Sequence, residues 1–88
     1  MPSYKCVLFS DSVTQQYMIE QEQAINLALP DVVTEQAEAN DVRLALYSET
    51  PTRMPCLMIF KDGFRMQTKH TKQSHEQIIN WIKSIVGV

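Results

Sequence analysis

Residues Tyr4 to Ser10, YKCVLFS, form a nearly unbroken apolar run with aromatic and β-branched members, which suits a strand buried on both faces. Ser12-Val13-Thr14-Gln15 follows as a capping-box pattern, in which a serine hydroxyl and a glutamine side chain satisfy free backbone donors at a helix start. From Val13 onward Tyr17, Ala24, Leu27 and Ala28, with Met18, Ile25 and Leu29 alongside, fall on one stripe at helical spacing. Gln15, Gln16, Glu22, Gln23 and Asn26 fall opposite, and Pro30 ends the helix because its ring and missing N–H do not fit a continuing one. Asp31 then serves as a candidate N-cap for a short second helix within Asp31 to Asn40. Val42 to Tyr47, VRLALY, alternates apolar and other residues with the period of a strand. A helix over Val33 to Tyr47 competes with that reading, since Val33, Ala37, Leu44 and Tyr47 also share a helical face.

Ser48 to Met54 reads as a connector, held extended before each proline. Cys56 to Phe60 and Phe64 to Lys69 read as two strands joined through Lys61-Asp62-Gly63, where Asp-Gly supplies the positive φ angles of a tight hairpin. Ser74-His75-Glu76-Gln77 is a second capping box, and Ile78, Ile79, Trp81, Ile82, Ile85 and Val86 form the apolar side of a closing helix that runs to about Val86. The predicted order is strand, helix, short helix, strand, hairpin, helix, with no internal repeat, linker or low-complexity segment.

The chain's 88 residues, 44% hydrophobic and 20% charged, describe one small soluble domain over residues 1–88. A domain of this size buries only about two-thirds or less of its unfolded surface, so a contact with a partner would be a sizeable fraction of its stability. No apolar run approaches the roughly 20 residues of a membrane span, and MPSYKCVLFS lacks the basic region and long apolar stretch of a signal peptide, so no membrane contact and a cytoplasmic compartment are expected. Cys6 and Cys56, with His70 and His75, give neither a disulfide framework nor a metal-ligand cluster, and no metal or cofactor is expected. The net charge of −2 hides a polarity: Met1 to Glu49 carries eight acids against Lys5 and Arg43, while Thr50 to Val88 carries six bases against Asp62 and Glu76. The basic segment KDGFRMQTKHTK offers only Lys61, Arg65, Lys69 and Lys72 around one phenylalanine, too sparse a stripe to favour nucleic acid as a partner.

From Pro55 to Ile82, PCLMIFKDGFRMQTKHTKQSHEQIINWI resembles the thioredoxin-like superfamily: a proline heading an apolar strand, a Phe-Lys-Asp-Gly hairpin, and a final helix with Trp near its end. VRLALYSE is similar to that family's second strand. The resemblance implies an α/β, thioredoxin-like fold with a four-stranded mixed sheet, helices packed mainly on one face, and the order β-α-(α)-β-β-β-α. It also implies a cis bond between Met54 and Pro55, with the backbone of Met54 offered to an extended peptide.

The departures bear on function. Thioredoxins and dithiol glutaredoxins place Cys-x-x-Cys between the first of these strands and its helix, where the helix terminus lowers the thiol pKa. This chain has Ser10-Asp11-Ser12-Val13 there. A serine hydroxyl cannot replace a thiolate in disulfide exchange, and Asp11 adds a charge that opposes thiolate formation. The expectation is a redox-inactive thioredoxin-like module that binds protein, as an adaptor or a subunit of a larger assembly, through Ser10, Asp11, Ser12, Met54, Pro55 and Cys56. The alternative is a single-cysteine redox protein or sensor that uses Cys56, against the simpler reading of Cys56 as a small buried core residue. In an antiparallel pairing of the two strands Cys56 lies near Phe9 and Cys6 near Ile59, which argues against a disulfide between the cysteines. Only Glu49 to Met54 separates the expected second strand from the proline strand, so the family's middle helix is taken as missing. One sheet face would then be uncovered, favouring a homo-oligomer or a bound protein partner.

Overall fold

Strand β1 (Tyr4–Ser10) runs through the middle of a four-stranded sheet, with helix α1 (Gln15–Ala28) leading from its end to a parallel edge strand β2 (Val33–Glu38). On its other side β1 pairs antiparallel with β3 (Cys56–Lys61), which turns into the opposite edge strand β4 (Phe64–Lys69). A short helix α2 (Val42–Tyr47) stands between β2 and β3, and α3 (His75–Val86) closes the chain. The sheet order is β2-β1-β3-β4. The computed structural model describes residues 3–38, 40–47, 55–69 and 73–87.

The two faces of the sheet hold separate apolar clusters. On one, Cys6, Leu8, Leu57 and Ile59 meet Met18 and Ile25 of α1 and Ile78 and Ile82 of α3, all eight fully buried. On the other, Val7, Phe9, Cys56 and Met58 are fully buried with Phe60 and Ala37 beside them. Every residue from Cys6 to Phe9 is therefore buried, which is why β1 reads as a continuous apolar run rather than an alternating one.

Two local signals and one strand register act as expected. Asp62 and Gly63 adopt φ of 52° and 89°, the left-handed pair of a two-residue hairpin turn, and the turn is tied to the chain start by Asp62 N donating to Ser3 O. The Ser74 hydroxyl accepts from Gln77 N while the Gln77 side chain accepts from Ser74 N, a complete capping box, and Gly87 at φ 78° ends α3. Cys6 pairs with Ile59 and Phe9 with Cys56, and no disulfide joins the cysteines.

Four expectations need correction. Residues 33–38 are strand β2 and not part of a helix from Asp31 to Asn40: bonding to β1 overrides the helix propensity of Glu35, Gln36 and Ala37. Val42 to Tyr47 is helix α2 and not a strand, started by Asp41, whose Oδ1 accepts from Arg43 N at 2.9 Å. The connection between β2 and β3 accordingly does contain a helix, and the second sheet face is not bare, with Val7, Phe9 and Met58 at zero exposure. The face expected to lie uncovered, and so to favour a homo-oligomer or a bound partner, is buried at these residues. On α1, the stripe places Leu27 inward, yet it is 88% exposed, whereas Gln21 is fully buried, donating from Nε2 to the Tyr17 hydroxyl and to Gln73 O.

Candidate functional site

The C-terminal ends of the parallel strands β1 and β2 lie side by side, with Ser10 registered against Glu38. The chain leaves β1 through a turn into α1 and leaves β2 toward Asn40, and a cavity of about 380 Å³ opens between them, lined by Ser10, Asp11, Ser12, Gln15, Glu38 and Asn40. Clefts at the carboxyl ends of parallel strands are where α/β folds commonly bind ligands, because the loops there diverge.

Asp11 organises this turn. Its Oδ1 accepts from Val13 N at 3.0 Å, from Thr14 N at 2.9 Å and from the Thr14 hydroxyl at 2.9 Å. The Thr14 hydroxyl in turn accepts from Asp11 N at 3.1 Å. The expected Ser12/Gln15 capping box is not formed: α1 begins at Gln15, Thr14 precedes it without a side-chain cap, and Asp11 satisfies the free donors of the approach. The bonds from Thr14, with a smaller one from Val13, hold the Asp11 carboxyl below the usual carboxylate range. Asp11 is thus an anion fixed at the mouth of the cavity.

Of the residues singled out in the sequence, Ser10, Asp11 and Ser12 line the cavity, and Pro55 and Cys56 arrive at the same end of the sheet through the Phe9–Cys56 pairing. Ser10 shares the helix-covered face with Cys6 and Leu8 by strand alternation, while the Cys56 side chain joins the cluster of Val7, Phe9, Met58 and Phe60 on the opposite face. The thiol is fully buried there and does not line the cavity. Met54, and with it the Met54–Pro55 bond, lies outside the described residues. Burial, with a smaller contribution from Glu22, pushes the Cys6 thiol up to about 12, which keeps Cys6 a neutral thiol at physiological pH.

Sequence reasoning missed Gln15, Glu38 and Asn40 as cavity residues. Gln15 reads in the sequence as a capping partner, and Glu38 and Asn40 reach the site only because residues 33–38 pair in parallel with β1. It also missed a charged chain over the second sheet face. Lys5 Nζ lies 2.6 Å from Glu35 Oε1, Arg43 pairs with the other Glu35 oxygen, and Arg43 Nε lies 2.9 Å from Asp41 Oδ1. The Arg43 guanidinium sits 5.5 Å from the centre of the Phe9 ring. Hydrogen bonding from Arg43 brings Asp41 down to about 2, and Arg43 followed by Lys5 lowers Glu35.

No protein-family model matches the chain, and no curated protein matches it in sequence. Its architecture does have counterparts among solved structures. Thioredoxin-2 of the malaria parasite superposes with a TM-score of 0.74 at 11% identity, covering 94% of this chain and 84% of that one. A mutant thioredoxin from Halobacterium salinarum gives 0.71 at 14% identity over 93% of this chain and 74% of its own. Thioredoxin O2 from Arabidopsis thaliana in its oxidised state gives 0.64 at 15% identity over 97% and 73%. With the mixed sheet, the helix-covered face and the proline at the head of β3, these likenesses establish that the chain has a thioredoxin-like fold.

Proposed function

We propose that this protein is a redox-inactive thioredoxin-like module that binds a protein partner at the sheet end formed by Ser10, Asp11, Ser12, Pro55 and Cys56, working as an adaptor or as a subunit of a larger assembly. The observation that carries the reading is the turn between β1 and α1. Where thioredoxins hold a reactive thiol against a helix N-terminus, this turn holds the Asp11 carboxylate, its Oδ1 occupied by the backbone donors of Val13 and Thr14. Such a turn has no thiol and leaves hydroxyls, amides and carboxylates around a cavity, which is chemistry for recognition. The parasite thioredoxin-2 is described as a component of a protein secretion machinery, a precedent for this fold inside an assembly.

A thiol mechanism at Cys56 would need the sulfur at the surface, and its full burial counts against that. Two measurements test the reading. Insulin reduction in dithiothreitol should run no faster than the buffer blank, and Cys56 should be alkylated by iodoacetamide only as fast as the domain unfolds. A cysteine-dependent reduction rate, or rapid native-state labelling at Cys56, would transfer the function to that thiol. For binding, affinity capture with wild type and with Ser12→Arg, a change at an exposed position, should differ in a defined set of proteins. Identical captures would remove this sheet end as the binding surface.

A further inference from the structure

The cavity between the β1–α1 turn and the end of β2 has a lining made of oxygen-bearing side chains: two carboxylates, two hydroxyls and two amides, with no basic residue among those described. Three observations define what such a lining accepts. Ser10 is only 8% exposed and lines the cavity, yet its hydroxyl has no hydrogen-bond partner among the described residues. The hydroxyl is not among the buried side-chain atoms left without a partner, so it opens to the cavity, where a ligand or water can bond it. Asp11 uses Oδ1 for three internal bonds, so its position is fixed, while Oδ2 accepts none from the described residues. Glu38 makes no ion pair among the described residues.

Charge selects the sign. The two bases of the acidic half, Lys5 and Arg43, are both engaged at Glu35 and Asp41, so neither neutralises Asp11 or Glu38. The α1 N-terminus opposes a cation with roughly half a unit of positive charge, against two full negative charges on the cavity wall. An anion such as phosphate would face both carboxylates. The volume of about 380 Å³ is near the lower end of ligand cavities, enough for one side chain rather than a cofactor.

We propose that this cavity takes a basic side chain, a lysine ammonium or an arginine guanidinium, presented by the protein partner, with Asp11 and Glu38 pairing its charge and the Ser10 hydroxyl accepting one of its N–H groups. This rests on the reading of this sheet end as a protein-binding site and specifies the chemistry of what binds.

Amide NMR of the intact chain tests it, using the capped peptide Ac-Gly-Arg-Gly-NH2, its glutamine counterpart and methylguanidinium chloride, each at matched ionic strength. The arginine peptide and methylguanidinium should give saturable shifts confined to residues 10–15, Glu38 and Asn40, and the glutamine peptide should give none. Glu38→Gln, on an exposed residue, should weaken arginine-peptide binding about tenfold with an unchanged spectrum elsewhere, the loss of one charge-assisted bond. Ser10→Ala should weaken it by a smaller factor. Absence of saturable shifts, or equal binding by Glu38→Gln, overturns the proposal. So does magnesium or spermidine giving the same shifts at lower concentration, since the cavity would then be a free-cation site. The reading of the module as redox-inactive fails separately, through insulin reduction, and its binding surface fails separately, through the Ser12→Arg capture.

Discussion

Arg43 ties three parts of the molecule together, bonding Asp41 and Glu35 while its guanidinium covers Phe9. Arg43→Ala should destabilise the domain by about 1–2 kcal/mol, combining a partly buried cation–π contact with two ion pairs of modest individual value. The pH dependence has a definite sign. Asp41 titrates from 3.8 down to about 2 on folding, and Glu35 is lowered too, both through hydrogen bonds from Arg43 first. A carboxyl whose folded pKa lies below its unfolded one stabilises the fold above the unfolded value and loses that contribution as pH falls through the folded one. The gap between wild type and Arg43→Ala should therefore be full at neutral pH and shrink between about pH 4 and 2, read by urea unfolding at each pH. A gap independent of pH would show that Arg43 acts by packing alone.

At the scale of elements, the β3–β4 hairpin should be sensitive to backbone conformation rather than to packing. A Cβ at Gly63 would meet nothing within 4 Å, but its φ of 89° is strained for an L-residue. Gly63→Ala should cost roughly 1–2 kcal/mol, a fall of about 4–8 °C or more in Tm for a domain of this length. An unchanged Tm would mean that the turn relaxes. This hairpin was legible in advance for the reason it is sensitive: its signal is local, like Pro30 after α1 and the Ser74/Gln77 box at α3. β2 and α2 were not legible. Residues 33–38 take their state from β1, with Val33 set against Lys5, 28 residues earlier in the chain, and over six residues VRLALY fits a strand and a helical turn equally well. The candidate site divides along the same line. Ser10, Asp11 and Ser12 follow from their place after an apolar strand, while Glu38 and Asn40 depend on a parallel pairing that no short-range pattern encodes.

For the whole molecule, both sheet faces are filled, one by α1 and α3 and the other around Phe9 and Met58. Large apolar side chains that remain exposed, among them Val13, Leu27 and Phe64, are dispersed over the helix start, the helix end and the hairpin. The native protein should therefore leave the fluorescence of a hydrophobic dye near its buffer value, while acidification to about pH 2, which loosens the Arg43 links, should raise it. Strong dye binding at neutral pH would mean that the second face opens in solution. No helix among the described residues is long and apolar enough to cross a membrane.

The central position of β1 also bears on how the domain is made. β1 is synthesised before the strands it pairs with, and its antiparallel partner ends at Lys61, 51 residues after Ser10. At ~5–20 residues per second, a ribosome needs about 3–10 s to cover that distance. Until then the run from Cys6 to Phe9, completely buried in the finished sheet, has at most α1 and β2 to shelter it. The β-α-β half can form early, but one side of its innermost strand stays an open edge until the hairpin is delivered. This interval is when the nascent chain is most exposed to chaperones and to aggregation.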